Sequence, residues 1–279
     1  MMQVAFLEDK IIPLEEVGSQ YLDRGLFFGD GVYEVIRSYN GKLFALDEHL
    51  ERFAASLAAI EINNIDINEI RAKILKSFET ADIADAQIYF HITRGSELRS
   101  HICHDNVKPN FFLTVRELDD DTKAKTEGIA VITHPDWRWK RCDIKSLNLL
   151  PNVLARKKAA KMGCDEAIFV NDSGFVTEGA GSAFFAIKDN KLRTSPLSEN
   201  ILPSITRKFV IEAAQNIGLE ILEESFTAQQ ASSCDELFIA VTTKDIVPVV
   251  RFDDKVIGDG KPGAITNALA EEFRKFTTG

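Results

Sequence analysis

The sequence predicts an α+β protein in two domains, and three observations predict it. Strand-like and helix-like segments are mixed in both halves of the chain, without the strict βαβ alternation that builds a doubly wound sheet. The 279 residues exceed the usual span of one domain. Hydrophobic residues make up 45% of the chain, ample for a core, and charged residues an ordinary 27%. The charge run Asp119-Asp120-Asp121-Thr122-Lys123, read as a solvated turn, divides residues 1–120, a smaller N-terminal α/β domain, from residues 121–279, a larger C-terminal domain.

Gln3 to Leu7 and Lys10 to Pro13 read as strands about a Glu8-Asp9 turn. Arg24-Gly25-Leu26-Phe27-Phe28-Gly29-Asp30-Gly31 reads as a turn, because two glycines bracketing an aspartate suit special backbone angles. Val32 to Tyr39 follows as a strand, Asn40-Gly41 as a hairpin turn, and Lys42 to Leu46 as the returning strand. Asp47 is placed to cap a helix in which Leu50, Phe53, Leu57 and Ile60 recur at helical spacing. Ile67 to Ala81 predicts a second amphipathic helix, with Ile67, Ile70, Ile74 and Phe78 on one face. Strands Gln87 to Thr93 and Phe111 to Val115 flank a polar loop, Arg94 to Pro109. In the second half, Gly128 to Thr133, Glu166 to Val170, Ser182 to Ile187, Glu236 to Ala240 and Ile246 to Val250 read as strands. Helices are expected over Pro151 to Met162, from the Ser204 cap to Ile217, and over Ala264 to Phe276, the first two closed by Gly163 and Gly218.

Charge narrows the function classes. A net charge of −10 and a pI near 5.1 leave no basic footprint for nucleic acid and weigh against anionic membranes. An anionic substrate needs a local cationic pocket set against that field. Cys103, Cys142, Cys164 and Cys234 are widely spaced, with no C-x-x-C pair, and read as reduced thiols; no metal site is expected. The N-terminus meets Glu8-Asp9 too soon for a secretory core, and no apolar run approaches the ~18 residues of a membrane span. A cytoplasmic location is the expectation.

Five features carry possible chemistry, and each also has an ordinary structural explanation. Lys145 sits in the mostly apolar run Ile144-Lys145-Ser146-Leu147-Asn148-Leu149-Leu150. An amine kept neutral there can attack a carbonyl, although a surface lysine laid along apolar neighbours reads the same. In Val176-Thr177-Glu178-Gly179-Ala180-Gly181-Ser182 a carboxylate precedes small residues that leave room for a flat group; a tight turn with an exposed glutamate is the alternative. Leu202-Pro203-Ser204-Ile205-Thr206-Arg207 opens a helix whose free N–H groups suit a phosphate, and Thr242 follows a strand where its hydroxyl could join them. Arg99 and His101, two apart in the polar loop, share a face in an extended segment and could grip a carboxylate. Arg52, with only Glu51 nearby and not facing it, reads as a surface residue. His91 and His134 read as structural.

Their joint occurrence in one order changes the reading. The chain resembles the fold-type IV pyridoxal-phosphate (PLP) enzymes, and among them the D-amino acid aminotransferases. The matching residues are Arg24-Gly25, Phe28-Gly29-Asp30-Gly31-Val32-Tyr33-Glu34-Val35, Asn40-Gly41, Glu48-His49 with Arg52, the Arg99-x-His101 loop, and Cys142 to Leu150. They continue with Val176-Thr177-Glu178-Gly179, Ile205-Thr206-Arg207, Asp235-Glu236-Leu237-Phe238 and Thr242-Thr243. The likeness implies a two-domain fold with the cofactor between the domains, bound mainly by the C-terminal one. It implies that Lys145 forms the Schiff base with pyridoxal 5'-phosphate and moves the α-proton. Glu178 would bind the pyridine nitrogen; Arg52, Ile205, Thr206 and Thr242 the phosphate; Leu202 the ring. Tyr33, Arg99 and His101 would grip the substrate carboxylate, with the Arg99-x-His101 loop entering from the partner of a homodimer. The expected substrates are a D-amino acid and a 2-oxo acid. The chain departs from the family pattern at Glu97-Leu98 before Arg99, at Gly179-Ala180-Gly181-Ser182-Ala183, at Ser204 and at Val241. An L-branched-chain aminotransferase, an enzyme like aminodeoxychorismate lyase, and a PLP-binding protein without activity are the competing readings.

Overall fold

The computed structural model describes residues 2–278. A hairpin of β1 (Val4–Leu7) and β2 (Lys10–Pro13) opens the chain, and short 3₁₀ turns lead to α1 (Arg24–Phe28). Next come β3 (Gly31–Tyr39), β4 (Lys42–Leu43), α2 (Leu46–Ala59), α3 (Ile67–Ala81), β5 (Ala86–Thr93), β6 (Asn110–Glu117) and α4 (Thr122–Glu127). The remainder runs β7 (Ile129–Pro135), α5 (Leu150–Lys161), β8 (Glu166–Val170), β9 (Val176–Gly179), β10 (Ala183–Lys188), β11 (Lys191–Thr194) and α6 (Ile205–Asn216). It ends with β12 (Glu220–Glu223), α7 (Ala228–Ala231), β13 (Glu236–Val241), β14 (Asp245–Phe252), β15 (Lys255–Val256) and α8 (Ala264–Thr278).

Beyond the opening hairpin, two sheets organise the described residues. A four-stranded antiparallel sheet has the order β4-β3-β5-β6. The larger sheet runs β12-β11-β10-β13-β14-β7-β8-β9, with β15 beside β14. Its β14–β7 and β7–β8 pairs are parallel while β8–β9 and β13–β14 are antiparallel. This mixture is the expected α+β class.

Helices α2 and α3 bury one stripe each against the small sheet. Leu50, Phe53 and Leu57 of α2 and Ile70 and Ile74 of α3 join Val32, Ile36, Ile88 and Phe90 in one core. Burying each such side chain stabilises the fold by ~1.5–3 kcal/mol. Separate clusters pack on the large sheet, where α6 and α8 cover Phe185, Phe238 and Ala240.

Several local expectations are corrected. The segment after Asp23 is a helix, not a turn: Asp23 accepts the Gly25 N–H at 2.6 Å and Gly29 closes α1 with φ 63°. A side chain at Gly29 would also strike Asn148 Oδ1 at 2.5 Å. The strand after Asn40-Gly41 stops at Leu43, because α2 begins at Leu46 with Ala45, not Asp47, as its N-cap. Asp120 and Asp121 are not merely solvated. Asp120 meets Arg37 and Lys125, while Asp121 caps α4 and meets Lys244. The run joins the small sheet, α4 and the turn before β14. Strands β9, β11 and β12 fall where no strand was expected; all are four residues long, too short for a period-2 pattern to stand out.

Candidate active site

Lys145 is carried by a segment that acts as a short extra strand on β3. Val32 and Ser146 form an antiparallel bridge. The Tyr33 N–H donates to the Lys145 carbonyl at 3.0 Å, and the Leu147 N–H to the Gly31 carbonyl at 3.0 Å. From the other side the Lys145 N–H donates to Ser56 Oγ of α2 at 3.2 Å. Its backbone is thus fixed by both β3 and α2. The Nζ lies 4.3 Å from the Tyr33 ring centroid and makes no hydrogen bond among the described residues. An amine that is not committed to a partner is available for chemistry.

This amine lines a cavity of about 260 Å³. Tyr33, Arg52, Lys145, Glu178, Leu202 and Thr242 all line it, so strands β3, β9 and β13, helix α2 and three loops converge there. Walls come from both sheets. Ser204 also lines it, and its side chain accepts the Arg207 N–H at 3.2 Å as the cap of α6. Ile205 and Thr206 stand behind it in the first turn, both buried. Neither lines the cavity; their N–H groups, which have no helical carbonyl to bond, lie beyond Ser204 in the first turn of α6.

Arg52 is not a surface residue. Its Nε and Nη2 donate to Glu34 at 2.7 and 2.8 Å, and Nη1 donates to the Pro203 carbonyl at 3.0 Å. His49 donates from Nδ1 to the same carboxylate at 2.8 Å. Burial alone would push Glu34 up; the Arg52 charge and the His49 hydrogen bond outweigh it and hold the group at about 2. Burial also keeps His49 below the usual imidazole range, so it is neutral at pH 7. Glu34 was not singled out from the sequence, although the pattern carried the signal. In β3, Val32, Glu34, Ile36 and Ser38 alternate on one fully buried face, and a carboxylate there demands a cation.

That pairing sets a pH dependence. The folded value lies below the ordinary 4.5, so the contribution of Glu34 is complete above pH 4.5 and is lost as pH falls toward 2. Glu34→Gln is expected to lower stability at pH 7 by ~3 kcal/mol and to flatten the acid limb between those values. Denaturant midpoints recorded across pH 2–7 check this; an unchanged acid limb would assign the loss to other carboxylates.

Glu178 is buried, not on an exposed turn. Its Oε1 accepts from Arg138 and, at 3.2 Å, from the Leu202 N–H, while Oε2 makes no hydrogen bond among the described residues. Burial pushes Glu178 above the usual carboxylate range despite the opposing Arg138 charge. The site therefore has room for a further cation or N–H donor at this carboxylate. Arg138, which sequence reasoning missed, is itself held by Asp136 through two donors at 2.8 and 2.7 Å. Its place within Trp137-Arg138-Trp139-Lys140-Arg141 gave no sign of which basic residue points inward.

Arg99 and His101 are not brought to this cavity. Both are exposed on the loop between β5 and β6, gathered around Phe28: Arg99 Cζ lies 5.1 Å and the His101 ring 5.5 Å from that ring. His134 is buried, donating from Nδ1 to the Pro135 carbonyl at 2.7 Å against Trp137 and Phe169. His91 pairs with the Tyr89 hydroxyl at 3.0 Å.

A lysine amine without a hydrogen-bond partner, a buried carboxylate with one oxygen open and a helix cap at Ser204 suit a flat, phosphorylated pyridine that bears an aldehyde. Comparison with known proteins agrees. The family described as amino-transferase class IV matches residues 31–252. A D-alanine aminotransferase of Staphylococcus haemolyticus is 38% identical over 277 residues, covering 99% of this chain and 98% of that protein. The branched-chain amino acid aminotransferase of Escherichia coli superposes with a TM-score of 0.89 at 23% identity, covering 100% of this chain and 96% of that one. The branched-chain aminotransferase of the thermophilic archaeon Thermoproteus uzoniensis, solved with norvaline, gives 0.83 at 26% identity, covering 99% and 94%.

Proposed function

Because the chain belongs to the amino-transferase class IV family, we propose that it is a PLP-dependent transaminase moving the amino group of a D-amino acid, such as D-alanine or D-glutamate, to a 2-oxo acid. The observation that carries this reading is the cavity in which the Lys145 amine, the Glu178 carboxylate and the start of α6 meet. The near full-length similarity to a D-alanine aminotransferase supports the D-amino acid branch.

When bound, the cofactor's protonated pyridine ring takes up the electrons left as the substrate loses its α-proton. The chain's residues serve that chemistry in four ways. Lys145 Nζ would hold the cofactor through its aldehyde and, as a free amine, would move the proton at the substrate Cα. Glu178, whose Oε2 makes no hydrogen bond among the described residues, would keep the ring nitrogen cationic, a role that would count most as negative charge develops. Arg52, the Ile205 and Thr206 N–H groups and the Thr242 hydroxyl would hold the phosphate, and Leu202 would hold the ring. Tyr33, Arg99 and His101 grip the substrate carboxylate and thereby fix which face of Cα meets Lys145.

Arg99 and His101 are exposed and clear of this chain's cavity, which supports their entering the cavity of a second copy in a homodimer. Residues 1–120 and 121–279 are read as the two domains that close on the cofactor. No helix among the described residues is long and apolar enough to cross a membrane; a cytoplasmic location is part of the proposal.

Transfer from D-alanine and from L-leucine to 2-oxoglutarate tests the reading. D-alanine is expected to be the faster donor; preference for L-leucine would move the chain to the branched-chain group, and multiple-turnover pyruvate release from aminodeoxychorismate with no 2-oxo acid acceptor would make it a lyase. Arg99→Ala is expected to raise KM for D-alanine by about tenfold or more and to weaken the D-preference, because a charge-assisted fork on the carboxylate is lost. Unchanged kinetics would remove Arg99 from the clamp.

A further inference from the structure

Arg24 lies outside the cavity and takes no part in the steps above, yet it is buried to 4% exposure. Its Nε donates to Asp30 at 2.9 Å and its Nη1 to Glu97 Oε1 at 2.8 Å. Nη1 also donates to the Ser100 carbonyl at 2.7 Å and Nη2 to the His101 carbonyl at 3.2 Å. One buried cation therefore fixes the backbone that carries Arg99 and His101. The guanidinium of Arg24 lies 5.0 Å from the Phe28 ring centroid, so Arg24, Arg99 and His101 share one aromatic platform.

Glu97 closes the same loop from the other direction. While Oε1 is taken by Arg24, Oε2 accepts from His104 Nδ1 at 2.8 Å and from the His104 N–H at 3.4 Å. The loop is tied at its neck too. Gly95, with φ 118°, passes so close to Lys108 that a Cβ would lie 2.2 Å from its carbonyl oxygen. Asp30, the remaining partner of Arg24, also receives Arg94, which donates to the Ile60 and Glu61 carbonyls after α2 at 2.6 and 3.1 Å. The chain of contacts thus runs from the exposed loop to the base of a core helix. Exposed loops hold catalytic geometry only when a rigid scaffold positions them.

We propose that Arg24 and Glu97 are positioning residues for substrate recognition: together they hold the Glu97-to-His104 loop in the backbone course that sets Arg99 and His101 side by side for the substrate carboxylate. This inference rests on reading that loop as the carboxylate clamp. Arginine suits the role because its planar fork of donors serves four acceptors at once, whereas a lysine offers one point charge. Lys145 and Glu178 are held by other elements, so loosening the loop acts on substrate binding and leaves cofactor binding untouched.

The test uses the PLP-loaded enzyme and the variants Arg24→Lys and Glu97→Gln, with Arg99→Ala as comparator. Each is measured for KM and kcat with D-alanine, for the D-over-L preference, for thermal midpoint and for PLP retention by absorbance. Both variants are expected to raise KM for D-alanine about tenfold and to lower the D-preference, with kcat within about twofold and PLP retention unchanged. If KM stays at the wild-type value while Arg99→Ala raises it, the inference is overturned and the clamp reading stands. A lowered thermal midpoint with unaltered KM also overturns it, since the residues then serve only the fold. If Arg99→Ala has no effect either, the clamp reading falls and takes this inference with it. Should Arg24→Lys fail to fold, Glu97→Gln decides, because it keeps the shape of the side chain and leaves Arg24 paired with Asp30.

Discussion

Lys145→Ala is expected to lower kcat for D-alanine by at least ~10³-fold, within the range lost when a positioned general base is removed. The same variant is expected to stay folded. The Lys145 backbone is fixed by Tyr33 and Ser56, contacts that do not involve its side chain. Truncation removes one contact over the Tyr33 ring, a loss of ~1 kcal/mol or less. Loss of turnover with an unchanged thermal midpoint therefore separates a chemical role from a structural one. Turnover within tenfold of the wild-type enzyme would remove Lys145 from the chemistry.

The second large effect is expected at Glu178. Glu178→Gln keeps the shape and the Leu202 N–H contact but removes the charge that holds a ring nitrogen cationic. A fall in kcat of about 10²–10³ is expected, the usual size when a preorganised electrostatic partner is lost. Stability should move the other way. Burial raises the folded value of this acid above its ordinary 4.5, so its ionisation costs the empty fold stability as pH rises through that range. An uncharged glutamine escapes this cost, and Arg138 keeps its bonds to Asp136. Without added PLP at pH 7, the variant is expected to be as stable as the wild type or more so. A variant that lost stability but kept its kcat would make Glu178 a structural residue.

Long periodic segments were the most legible part of the fold. The stripe Ile67, Ile70, Ile74 and Phe78 predicted α3 with its observed ends, Ile67–Ala81. Ser204 was readable as a cap because a hydroxyl before an apolar helical repeat has a clear job. The short helix α1 was not, since its glycines signal a turn and its stability comes from Asp23 and the buried Arg24. Lys145 and Glu178 were recognisable only through family resemblance. Their placement depends on partners far along the chain, β3 for one and Arg138 for the other. Its own neighbours made Arg52 read as a surface residue, because its partner, Glu34, lies on a different element; only the resemblance pointed it toward the cofactor. The same limit hid the anchoring of Arg99 and His101, in which four acceptors up to 77 residues away meet at Arg24.

The most direct test is to reduce the PLP-loaded enzyme with borohydride and map the modified peptide by mass spectrometry. The phosphopyridoxyl group is expected on the peptide that contains Lys145, at that side chain, and at no other lysine in comparable yield. Recovery of the label on a different lysine, or of unlabelled protein with free reduced cofactor, would contradict the assignment on which the whole site is built.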